Sequence, residues 1–190
     1  MRRMLSLAAL LPVLACSAVP PYASLPADAV VGAGDPTRAA IIGSAYAFSA
    51  PESVAGRPDA AARAAAQVEY LATEIPSGPR WYAFNPSITA ELAAARDGLR
   101  TALGISPSAP PQAVVDGLYA ASRALRAGDQ AGAGQALQAP VFRDGQATLL
   151  RLASLPPLPR TRIATSLTNQ EMTRVDNDGR FADGGDGGKD

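Results

Sequence analysis

Histidine is absent from this chain of 190 residues, and cysteine and tryptophan occur once each. Without histidine there is no Ser-His-Asp triad, no Cys-His dyad and no histidine-ligated metal site, and the usual general base near neutral pH is missing. Lysine is confined to Lys189, which removes lysine-ending phosphate loops and the Ser-x-x-Lys pattern; Gly-x-Ser-x-Gly does not occur either. Basic and acidic side chains balance at 17 each, so no cationic excess attracts a nucleic acid, and none is expected as a partner. Aromatic residues are only 5% of the chain, and alanine is by far the commonest residue. The expected core is therefore thin, with small side chains and Leu, Val and Ile as anchors. Alternating apolar runs between hairpin turns are missing, which argues against strands.

The most informative segment is the first. Residues 1–16 read MRRMLSLAALLPVLAC. Arg2 and Arg3 make a positive start, and Met4 to Leu14 make an apolar stretch too short to span a bilayer as a mature helix. This is the pattern of an export signal. Its end, Val13-Leu14-Ala15-Cys16, resembles the lipobox of bacterial lipoproteins: an aliphatic residue, then a small one, then an obligatory cysteine. The resemblance covers these 16 residues only. It implies that the signal, residues 1–15, is cut before Cys16, that the Cys16 sulfur carries a diacylglyceryl group, and that the new amine is acylated. Ser17 in the next position implies, by the sorting rule of enteric lipoproteins, the outer membrane, with the body facing the periplasm. The lone thiol agrees with this. Cys16 has no disulfide partner in an oxidising compartment, and lipidation removes a reactive group. Several acyl chains hold far better than one, since each buried CH₂ adds about 0.8 kcal/mol. Cleavage removes two arginines and no acid, so the mature chain is slightly acidic.

Residues 16–34, rich in Pro and small side chains, read as the lipidated Cys and a flexible tether with a reach of up to roughly 60 Å. Ala29 to Val31 are also suited to pack along the body. A helical domain is expected over 35–175. Asp35-Pro36 caps a first helix with Ile41, Ile42, Ala45 and Phe48 on one face. Pro58 opens a second, whose stripe runs from Ala61 to Ile75 and which Pro76, Gly78 and Pro79 stop. Asn85-Pro86 starts a third, with Ile88, Leu92, Ala95, Leu99 and Leu103, ended by Gly104. Pro111 starts a fourth, with Val114, Val115, Leu118 and Leu125, ended near Gly128. Asp129 and Asp144 cap two shorter helices, and a last one carries Ile163, Leu167 and Val175. Residues 176–190 read as a disordered Gly/Asp-rich tail. The fold class is all-α, an irregular bundle of about five to seven helices.

Candidate chemistry is sparse. Arg80, Trp81, Tyr82 and Phe84 lie between two Pro-containing turns and are the candidate partner or ligand contact, since Trp and Tyr dominate interface hot spots. The same rings also suit the filling of an alanine-poor-in-volume core. Glu69, Glu74 and Glu91 are the accessible form of a carboxylate-only hydrolase, although nothing in their spacing makes them face one cleft. Arg96, Arg100, Arg123 and Arg126 would share a cationic patch if the third and fourth helices were neighbours. The tail acids fit neither an EF-hand loop nor a repeated calcium motif. Pro156-x-x-Pro159 reads as a hinge or a polyproline ligand. No catalytic residue, metal ligand or cofactor site is assigned. The expectation is a non-enzymatic envelope lipoprotein that holds a protein partner, with a small-molecule or lipid-binding module gated by the aromatic loop as the alternative.

Overall fold

The computed structural model describes residues 22–30 and 34–183. Among them are seven α-helices: α1 (Pro36–Ser49), α2 (Pro58–Ser77), α3 (Ser87–Leu103), α4 (Pro111–Arg126), α5 (Gln130–Ala136), α6 (Gly145–Ala153) and α7 (Pro159–Asp183). The only β pairing among these residues is an isolated bridge between Ile105 and Phe142. The all-α irregular bundle is as the sequence predicts.

Local chemistry sets the helix ends. The Asp35 carboxylate accepts from the amides of Thr37 (2.9 Å) and Arg38 (3.2 Å), satisfying donors that α1 leaves unpaired. Asp129 and Asp144 do the same for α5 and α6. Gly104 and Gly128 follow α3 and α4 with φ of 74° and 77°, a left-handed conformation that L side chains resist. At α2 the proline signal works differently from expectation. Pro76 lies inside the last turn, and the helix ends one residue later, at Ser77.

The core is organised around α2. Every residue from Ala64 to Ile75 is buried, so this helix is enclosed on all sides rather than amphipathic. Helices α1, α3, α4 and α6 all pack on it. Its many buried alanines (Ala61, Ala62, Ala64, Ala65, Ala66, Ala72) let those neighbours approach closely, while Val68, Leu71, Leu92, Val114, Leu118 and Leu103 supply volume. Close approach recurs at Gly117 of α4. A Cβ there would lie 2.7 Å from Cε2 of Phe142 and 3.1 Å from the Ala136 carbonyl oxygen.

The α7 face differs from the expected one. Ile163 and Leu167 are exposed, and Val175 is only partly buried. The buried face is Thr161, Ala164, Thr165, Thr168 and Met172, set against α1 and α3. Threonine tolerates this position because its hydroxyl donates back along the helix, Thr165 to the Thr161 carbonyl (2.9 Å) and Thr168 to that of Ala164 (2.8 Å). Each satisfied hydroxyl leaves a methyl group to pack. Ile42 and Leu150 likewise face outward.

Both boundaries of the body are wider than expected. Residues 22–30 lie along the domain, with Ala23 and Ala29 buried. The Ala23 amide donates to Thr73, Ser24 bonds Gln112, Asp28 pairs with Arg123, and the Ala29 carbonyl accepts from Arg63. Helix α7 runs on to Asp183, into the segment read as tail. The remaining parts of the expected tether and tail, 16–21 with Cys16, 31–33 and 184–190, lie outside the described residues, as does the expected signal sequence, residues 1–15. Among the described residues no helix is long and apolar enough to cross a membrane.

Candidate functional site

Two regions carry the side chains of interest, and they sit at opposite ends of α2. Beyond its C-terminus the chain turns through Gly78 into a short 3₁₀ turn, Pro79–Trp81. Gly78 is needed here because a Cβ would lie 2.6 Å from the Trp81 ring and 2.9 Å from the Glu74 carbonyl oxygen. Trp81 folds back into the core and is 6% exposed; its indole N–H donates to Glu74 Oε1 at 3.0 Å. The other oxygen of the same carboxylate accepts from the Tyr22 hydroxyl at 2.5 Å. That bond, together with burial, holds the Tyr22 phenol above its ordinary pKa. Phe84 is buried edge-on to Trp81, with ring centroids 5.1 Å apart. Arg80 lies over the indole at 4.3 Å from its centroid and pairs with Asp35. Burial pulls the Asp35 pKa upward, but the Arg80 guanidinium and the Arg38 and Thr37 amides outweigh it and hold the carboxyl below its ordinary value. Of the four candidate contact residues, then, Trp81 and Phe84 are core, Arg80 is engaged within the fold, and Tyr82 alone projects, 89% exposed.

The carboxylates do not converge. Glu74 is taken up by Tyr22 and Trp81, whereas Glu69 is buried in a two-bond pair with Arg100, Nε to Oε2 at 3.0 Å and Nη2 to Oε1 at 2.5 Å. Glu91 is on α3 and partly exposed. The four arginines do not form a shared patch, because α2 packs between α3 and α4. Arg100 is buried, Arg96 lies beside Asp97 at 3.6 Å, and Arg123 reaches Asp28. Among the described residues no three Cys, Asp or Glu side chains cluster in a way that suits a metal ion.

At the N-terminal end of α2 is a half-open groove of about 550 Å³. Its walls are the end of α1, the turn Pro51–Gly56 and the connection between α6 and α7. Phe48, Val54, Ala55, Leu155, Pro157 and Leu158 line it, with Arg162 as its charged member. The turn is pinned to α6 by the Gly56 amide, which donates to the Ala153 carbonyl at 3.3 Å. The volume falls within the range of small-molecule sites, about 300–1,000 Å³.

No protein-family model, curated protein or solved structure matches this chain. The groove's lining is mostly apolar, with Ser154 and Arg162 as its polar members, which suits the binding of a largely apolar group. Sequence reasoning missed it, although the signal was present: Leu155-Pro156-Pro157-Leu158-Pro159 places two leucines on a stiff connection that cannot pack as a helix. The aromatic loop cannot gate this groove, since about 30 Å of helix separates them.

Proposed function

We propose that this chain is a lipid-anchored protein of the bacterial envelope, acylated at Cys16 and held at the outer membrane, whose helical body serves as a non-enzymatic docking module. The observation that carries this is the Val13-Leu14-Ala15-Cys16 sequence at the end of an export signal. The apolar groove supports the docking role. The test of the anchor is metabolic labelling with a fatty acid, followed by membrane fractionation. Wild type is expected to be labelled and membrane-bound, and Cys16→Ser unlabelled and soluble; a labelled, bound mutant refutes the reading. For the body, Leu158→Asp places a charge in the groove at a partly buried position. Site-specific photocrosslinking from Ala55 should give a discrete envelope-protein adduct that this change abolishes, and an unchanged adduct pattern refutes docking there.

A second reading is a module for a small apolar ligand, favoured by the groove volume. Titration with fatty acid or phospholipid would then protect the groove from a label at Ala55→Cys without any protein adduct.

A further inference from the structure

We propose that the end of the bundle bearing Tyr22 and Tyr82 rests on the lipid surface, with the apolar groove held at the far end. This rests on acylation of Cys16. The argument starts from chain length. Tyr22 is fixed to the body through Glu74, at the C-terminal end of α2, and its neighbours Ala23 and Ser24 are fixed to Thr73 and Gln112. Only six residue steps separate Cys16 from Tyr22, which spans at most about 20 Å when fully extended. The expected long tether is thus mostly used up along the body. The tyrosine end is kept within that short reach of the headgroups, while the opposite end of α2 lies a further ~30 Å along the 20-residue helix.

The chemistry of this end suits a headgroup layer. Tyr82 is 89% exposed and Tyr22 54% exposed. Tyrosine has an apolar ring and a polar tip, and it concentrates where hydrocarbon meets water. Trp81 and Phe84 complete the core below them, and the Tyr22 hydroxyl is held by Glu74, so Tyr82 is the ring that projects farthest from this end. The charges around them are paired within the fold: Arg80 with Asp35, Arg38 with Asp176, and Arg174 with Glu171 and Asp178. The end therefore presents aromatic rings and compensated charge, which fits a zwitterionic surface without relying on anionic lipid.

The test uses the full lipidated chain in phosphatidylcholine vesicles that carry a nitroxide on the lipid headgroup. Because the Cys16 sulfur is then a thioether, Tyr82→Cys or Glu52→Cys supplies the only thiol for a small fluorescent label. Both positions are exposed, so the core is left intact. Quenching at position 82 is expected to be several-fold stronger than at position 52. Tyr46→Cys, exposed on the flank of α1, reports a body lying on its side. Mass spectrometry of the same samples reports the acyl groups. With acyl groups present, equal quenching at 82 and 52, or strongest quenching at 46 or 52, overturns the orientation and leaves the anchor standing. Absence of acyl groups overturns the anchor, and the orientation with it.

Discussion

Replacing Glu69 with Gln probes the strongest polar interaction in the interior. The carboxylate and the Arg100 guanidinium are 4% and 7% exposed and meet through two bonds. The remaining Arg100 donor reaches the carbonyl oxygens of Pro107 (2.8 Å) and Ser106 (3.3 Å), so one side chain ties the end of α3 and the following loop to the central helix. Glu69→Gln keeps the shape but leaves a buried cation opposite a neutral amide. Breaking a buried pair on one side costs about 3–5 kcal/mol. For a body of this size each kcal/mol lowers Tm by about 2–4 °C, so a fall of roughly 10 °C is expected. Arg100→Met should be at least as damaging, because it also strips the two loop carbonyls of their donor. The double variant, Glu69→Leu with Arg100→Met, also strips the two loop carbonyls but leaves no unpaired buried charge, so it should be less destabilised than Arg100→Met alone. Urea and thermal unfolding of the mature chain carrying Cys16→Ser, followed by far-ultraviolet circular dichroism, measure all three. A loss below about 1 kcal/mol for Glu69→Gln, or a double variant as unstable as the sum of the singles, refutes the reasoning.

Two glycines should respond in opposite directions. Gly98→Ala, where a Cβ meets nothing within 4 Å, should stabilise α3 by up to about 1 kcal/mol, whereas Gly117→Ala should destabilise by about 1–3 kcal/mol as the methyl group presses on Phe142 and the Ala136 carbonyl; Tm shifts of the same sign would contradict this. Asp35→Ala removes a helix cap and should cost about 1 kcal/mol at neutral pH. Because the Asp35 pKa is depressed in the fold, its contribution is full above the ordinary 3.8 and fades as pH falls through the lowered value, so the gap in urea midpoint between wild type and variant should narrow in acid. Burial pushes the Tyr70 phenol up to about 12, and its hydroxyl lies 2.7 Å from that of Thr37. Its contribution is present below pH 10 and lost as pH rises through about 12, so Tyr70→Phe should flatten the alkaline loss of stability over that window; Tyr22 and Tyr119, also raised, keep part of the slope, and an unchanged slope would exclude Tyr70 as a contributor.

What could be read from the sequence was what neighbouring residues decide among themselves. Asp35-Pro36, Asp129, Asp144, Gly104 and Gly128 mark helix ends because caps and left-handed turns act over three or four residues. The stripes of α2, α3 and α4 were legible because leucine, valine and isoleucine repeat at helical spacing. The face of α7 was not, since its buried residues are mostly threonines that become apolar only once their hydroxyls bond the preceding turn. Nor could spacing show that 22–30 lies against α2, because its partners, from Arg63 to Arg123, are distant in sequence. The aromatic segment was found, but its division into two core rings, one stacked guanidinium and one exposed tyrosine depends on Glu74 accepting from both Trp81 and Tyr22. The groove depends on three separate stretches of chain and had only its Pro-Leu wall to announce it.

The strap formed by residues 22–30 has a mechanical consequence. If Cys16 is acylated as proposed, every tug of the membrane would reach the body at Tyr22. The strap runs lengthwise from Glu74 and Thr73 near one end of α2 toward Arg63 near the other, with side attachments to Gln112 and Arg123 on α4. Tension along that axis loads these bonds in shear, several at once, instead of peeling them open singly. Under the proposed anchor the pull would be shared between α2 and α4 before it reached the alanine-lined core, and the strap would act as a strain relief for the rest of the molecule.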